Sequence, residues 1–198
     1  MARYWIIAPV DSKPTELFDK VWQFDIANNL ISIGWKQLGD ISNMSREELS
    51  ATIASTYKDS KQAAQTLYRN MLWNFYHEIA PGDFILARKG VKILAGVGKV
   101  VRPAFYASGK NPDHDYPNFL EVEWQAIPRN KEFPNAIFPI QTVNETSEEQ
   151  YLRFVEMETF NDSSEETKGE PLNREEFVLE KYLEDFIVSN FKQFSKTS

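Results

Sequence analysis

Six basic residues, Arg88, Lys89, Lys92, Lys99, Arg102 and Lys110, fall between Asp83 and Asp113 with no acid among them. Cations without counter-ions suit phosphate oxygens, which position a nucleic acid strand without reading its bases. Aromatic rings can supply the reading. Trp35 closes the apolar run Leu30-Ile31-Ser32-Ile33-Gly34-Trp35 just after a glycine, a placement that sets the indole over an opening. Such a plate returns roughly 1–3 kcal/mol of the stacking that a base loses when it leaves its strand. Tyr106 and Tyr116, beyond the basic stretch and close to Phe105, are candidates for the opposite wall, and two or three ring faces also suit a methylated group. The base edge needs polar partners. Ser32, Asp25 and Asp40 lie near Trp35 in sequence, an aspartate can accept an exocyclic N–H, and backbone groups around Ile33 can do the same. One added methyl in an apolar pocket is worth only about 1–3 kcal/mol, so moderate selectivity is expected.

Each of these residues also has a plainer role open to it. Trp35 can be a core ring, the tyrosines can pin their loop, and Asp40 can be a turn residue in Leu38-Gly39-Asp40-Ile41-Ser42. Hairpin lysines can discourage edge-to-edge aggregation. Trp5, Trp73 and Trp124 read as core at their strand and helix positions. His77 and His114 are the two histidines, neither with a spaced partner for a metal, and there is no cysteine. No nucleophile elbow, phosphate loop or dinucleotide glycine pattern is present. Glu121 and Glu123 alternate without the following lysine of a nuclease triad. The expectation is therefore a binding protein with no metal and no cofactor, not an enzyme in itself.

The elements that must carry these residues can be read from pattern. Arg3–Ala8 and Leu30–Trp35 have strand character, and Ser45 with Glu48 forms a capping box opening a helix to about Tyr57. A second helix is expected from about Ser60 to His77. Pro81-Gly82-Asp83 is turn chemistry ahead of two strands, Phe84–Ala87 and Ile93–Gly98. Gly96 and Gly98 mark a bulge or a close approach to the backbone. A loop over 103–118, the alternating strand Phe119–Trp124 and a helix from Thr146 to about Glu158 follow. Residues 161–172 read as an acidic, solvated linker. Residues 173–198 read as an amphipathic helix whose apolar face either folds back or opens a further domain.

The formal charge of -7 is unevenly placed. Residues 1–145 hold 16 basic and 16 acidic residues, whereas 146–198 hold 6 and 13. The acidity belongs to the tail, and a low overall pI does not argue against nucleic acid. No apolar run reaches the roughly 18 residues of a bilayer span, so no membrane partner and a cytoplasmic location are expected.

The order Trp5, ISIGW, LWNF, PGD, FILARKG, GVGKVV and VEW resembles that of EVE domains, over residues 1–145. EVE domains belong to the PUA-like superfamily, which also contains YTH readers of N6-methyladenosine, and the similarity extends to the DNA-reading modules of McrB-type restriction proteins. FVLEKYLEDFIVSNF resembles the opening helix of NucS-like nuclease domains. The resemblance implies an α+β fold: a curved PUA-like β-barrel flanked by helices over 1–160, receiving a flipped, modified base in an aromatic pocket. It also implies a nuclease domain or subunit recruited through the extra C-terminal helix. The usual Trp-x-Gly-Val-Arg-Asn segment is replaced here by Ile33-Gly34-Trp35-Lys36-Gln37-Leu38. Modified DNA is the expected partner and RNA the second. A nucleotide- or small-ligand-binding barrel using Asp25 or Asp40, and an interaction domain working through the tail, are the remaining readings.

Overall fold

The computed structural model describes residues 2–10, 15–126 and 129–156. The chain divides into two units, Met1–Thr159 and Phe160–Ser198, and the described residues belong to the first. The linker expected over 161–172 and the helix expected over 173–198 lie outside the described residues.

The architecture is α+β. Its strands are β1 (Tyr4–Ile7), β2 (Leu30–Ile33), β3 (Phe84–Lys89), β4 (Ile93–Tyr106), β5 (Asn118–Trp124), β6 (Lys131–Glu132) and β7 (Val143–Thr146). Its helices are α1 (Thr15–Ala27), α2 (Arg46–Thr56), α3 (Gln62–Trp73) and α4 (Glu148–Glu156). The strands form one open sheet in the order β2-β5-β4-β3-β1-β7, with β6 paired to the start of β4. The β1–β3 pair is parallel and the other pairs are antiparallel.

The Pro81-Gly82-Asp83 signal organises the centre of this sheet. Gly82 has φ +100° and the Asp83 amide donates to the Ala80 carbonyl at 3.0 Å, as a type II turn with proline second and glycine third requires. The buried Asp83 carboxylate then accepts from the Arg3 amide (2.9 Å), the Trp5 indole (3.0 Å) and the Ala80 amide (3.0 Å). Arg3 adds a bridge between Glu78 (2.8 Å) and Glu145 (2.7 Å), and both carboxylates hold its guanidinium strongly protonated.

Alternation along the strands feeds two cores. Trp5, Ile7, Ile85 and Ala87 join residues of α1, α2 and α3, while Ile6 and Leu86 join Phe133, Phe138 and two α4 residues, Tyr151 and Phe154. The β3–β4 register shifts after Ala87, leaving Ala95 as the extra residue of a bulge. Beyond it Gly96 and Gly98 face the first core. A Cβ on Gly96 would lie 2.9 Å from the Trp22 ring, and one on Gly98 would collide with Val122 and lie 2.8 Å from the Trp124 ring. Of the two alternatives for these glycines the close approach holds at both, made by Val122 and by two indoles packed edge to face at 4.9 Å, while the bulge falls on Ala95 beside them.

The capping box of α2 is present, Ser45 accepting from the Glu48 amide while Glu48 accepts from the Ser45 amide. Other boundaries differ from expectation. α1 occupies a segment that pattern left unassigned, although Phe18, Val21, Trp22 and Asp25 recur on one buried face. β2 stops at Ile33, and α3 stops at Trp73, continuing as a wider π-type turn over Asn74–Glu78. β4 runs on through Pro103, with register irregularities around it that accommodate a residue without an amide hydrogen. Phe105 and Tyr106 thus lie on a strand, not in a loop, and Phe105 stacks on Phe119 at 5.6 Å.

Gly98→Ala is expected to destabilise the protein by roughly 1–3 kcal/mol, the usual cost of overpacking a core. Thermal melting checks this, and an unchanged midpoint would contradict the close approach of Val122 and Trp124.

Candidate functional site

Trp35 sits just past the end of β2 with φ 65° and ψ 35°, the left-handed region, and starts a 3-10 turn over Lys36–Leu38. A bulky side chain in that region costs roughly 1–2 kcal/mol, a strain met most often at functional positions. The conformation turns the half-buried indole away from the strand and edge-on to Tyr68 (5.9 Å), which packs in turn on Tyr57 (5.4 Å). Behind it, the Tyr76 hydroxyl bonds Asn118 Oδ1 at 2.5 Å, and Asn118 Nδ2 donates to the Gly34 carbonyl and, at 3.5 Å, to that of Ile33. Burial pushes the Tyr76 phenol up, with Asp40 and Tyr106 adding to the shift.

Two clefts open on either side of this ring. One, about 410 Å³, is lined by Trp35, Tyr57 and Tyr116 together with Pro9 and Val10 after β1, Gly90 and Val91 of the β3–β4 turn, and Ile140. Its volume falls within the range of about 300–1,000 Å³ usual for ligand pockets. The other, about 450 Å³, lies between Trp35–Gln37 and Pro112–Tyr116. Trp35 and Tyr116 belong to both. Tyr116 stands over Gly34, with ring atoms 3.4–3.8 Å from where a Cβ would be, and meets His114 edge-on at 3.9 Å. Burial lowers the His114 pKa, Asp115 opposing and Lys36 adding to the shift. A Lys36–Asp115 ion pair ties the two loops together and holds the Asp115 carboxyl below its usual range.

Of the expected pocket residues, the structure brings Trp35 and Tyr116 together and leaves the others elsewhere. Asp25 is fully buried, and its Oδ2 accepts from the Ser32 amide and hydroxyl, both at 2.9 Å. Neither residue lines a cleft, because they bond each other inside the core. Ile33 is a core side chain, and its carbonyl is engaged by Asn118. Asp40 closes a local turn by accepting from the Ser42 amide at 3.0 Å. Tyr106 pairs with Asn118 at the end of β4 and lines neither cleft. Tyr57 was not anticipated. Its place at the end of α2 gives no sign of a pocket until the helix is packed.

The basic stretch also changes character once folded. Arg88 is 5% exposed, its guanidinium donating to the carbonyls of Gly90 (2.6 Å), Ile140 (2.7 Å) and Gln141 (3.1 Å). Lys89 pairs with Asp19 at 2.8 Å, and Lys92 reaches the Pro134 carbonyl at 2.9 Å. The β4–β5 register sets Glu123 opposite Lys99 and Glu121 opposite Arg102. The expected hairpin tip is covered by the chain around Phe133–Phe138, whose amides bond the Val91 and Lys92 carbonyls. Lys92, Lys99, Arg102 and Lys110 are exposed, the last three with no hydrogen bond drawing their side chains onto the described residues. Among the described residues no group of three or more His, Asp or Glu is placed to hold a metal, and no helix is long and apolar enough to cross a membrane.

A family model described as "Domain of unknown function (DUF8426)" matches residues 12–148. No curated protein matches the chain.

Two variants test these assignments. Arg88→Ala is expected to lower stability by roughly 2 kcal/mol or more, since bonds from a charged donor are worth about 1.5–3 kcal/mol each. A fold as stable as the parent in denaturant titration would refute the structural role. Burial raises the Asp25 pKa from 3.8 to about 7, against the lowering effect of Ser32. The folded state therefore keeps a proton that the unfolded chain gives up, so this contribution is complete below pH 4 and is lost as pH rises through about 7. Asp25→Asn should gain on the parent in melting temperature between pH 5 and pH 8, whereas a constant difference would refute the assignment.

Proposed function

The chain belongs to the DUF8426 family, a domain of unknown function, and we propose that it is a nucleic acid reader that receives a modified, flipped-out base of DNA. The observation that carries this reading is the three-ring cleft of Trp35, Tyr57 and Tyr116, with Trp35 held there by a left-handed backbone. Ring faces around one opening give a base the stacking that it loses outside the duplex and give a methyl group apolar surroundings.

The resemblance to EVE domains leads to the same reading. β1 and β2 are separated by β5, β4 and β3 in the sheet, yet the residues that follow each line one cleft. A sheet that brings those ends together has to curve, which supports a PUA-like form. Phosphate contacts fall to Lys99, Arg102 and Lys110, fewer than the six expected. We infer that stacking contributes more of the affinity and charge less. The domain selects the target, and cleavage would belong to a nuclease domain or subunit acting with it.

The test is binding of the full chain to matched duplexes carrying no modification, N6-methyladenine, 5-methylcytosine or 5-hydroxymethylcytosine. One modified duplex should be preferred, and Trp35→Ala should weaken its binding roughly 5- to 150-fold, the equivalent of 1–3 kcal/mol of stacking, while leaving plain DNA little changed. Equal binding of all four duplexes by the parent would overturn the reading. A strict need for the ribose 2′-hydroxyl would transfer it to RNA.

A further inference from the structure

Ile140 is 80% exposed, the most exposed large apolar side chain among the described residues, and it stands at the rim of the three-ring cleft. Isolated apolar residues on a surface are common and by themselves mean little. This one is distinguished by how its backbone is held. The buried Arg88 guanidinium donates to the carbonyls of Ile140 and Gln141. Just beyond, the Thr142 carbonyl accepts from the Ala8 amide at 2.8 Å, and just before, the Ile137 and Phe138 amides both bond the Val91 carbonyl. A buried cation and three backbone bonds thus fix a short segment whose Ile140 side chain projects into water. Ordinary surface loops carry polar side chains on less constrained backbone.

Resting on the reading of the cleft as a receptor for a flipped base, we propose that Ile140 is the wedge that enters the duplex as that base leaves. Flipping opens a gap walled above and below by base faces and leaves the opposing base unpaired. Water fills such a gap poorly, and branched aliphatic side chains are among the wedges that occupy opened base steps. Placement on the cleft rim puts the wedge beside the base that it displaces. Anchoring through Arg88 lets it press into the stack without its own segment yielding. The wedge acts on the duplex, since a single strand presents no stack to part.

The full chain and its Ile140→Ala and Ile140→Met variants are titrated with the preferred modified base in two settings, a duplex and the same strand alone. 2-Aminopurine beside the modified base reports unstacking. Ile140→Ala should weaken duplex binding by about tenfold or more and reduce the fluorescence rise, while single-strand binding, which loses only a lining contact of the cleft, falls by much less. Ile140→Met, still apolar and long, should restore most of the loss. Equal losses in both settings, or none on the duplex, would overturn the wedge while leaving the cleft assignment standing. A parent chain with no preference for any modified base in either setting would overturn the cleft reading and the wedge with it.

Discussion

One buried carboxylate holds the sheet in register. Asp83 collects amide donors from Arg3 and Ala80 and the indole N–H of Trp5, so the strand that begins the domain is tied to a turn far along the chain. A carboxylate stripped of water is tolerated only when such donors replace its hydration. The donors here do so while setting β1 alongside β3 in the sheet's parallel pair. That pairing determines where β1 ends, and the residues after its end, Pro9 and Val10, form a wall of the three-ring cleft. Displacing Asp83 would therefore misplace a wall of a site that it never touches.

Polar groups and rings divide the work around that cleft. Arg88 and Asn118 both engage backbone carbonyls, the first along the rim at Ile140 and Gln141 and the second beneath Trp35 at Gly34. Their bonds fix the frame on which the rings are mounted, and Arg88 and the rings line the opening. Trp35 is the junction of the two sets, its backbone strained and its indole supported by Tyr68.

Local signals were legible in the sequence, and signals that depend on pairing were not. Ser45 with Glu48, Pro81 with Gly82, and Gly34 before Trp35 each act within a few residues, and each appears in the fold as a cap, a turn and a ring at an opening. The basic stretch is free of acids only along the chain, because its counter-charges come from elsewhere. Asp19 lies on α1, and Glu121 and Glu123 arrive through the β5 register. Asp25 and Ser32 resembled pocket residues by proximity to Trp35, but strand and helix turn them to the interior. The stripe of α1 was readable at Phe18, Val21 and Trp22, with the charged Asp25 at its end obscuring the pattern. β6 and β7 are too short for any periodicity to reveal.

The wide turn over Asn74–Glu78 has a consequence of its own. A π turn takes up one residue more than an α turn, so it acts as a slack point between helix α3 and the strand that follows. Tyr76 lies inside it and, through Asn118, supports the peptide immediately before Trp35. Deleting one residue there would tighten the turn, rotate Tyr76 off Asn118 and tilt the indole. In a lineage carrying this domain, loss or gain of a single residue at the end of α3 would reshape the cleft with every lining side chain unchanged. Ligand preference could then drift through chain length as readily as through substitution.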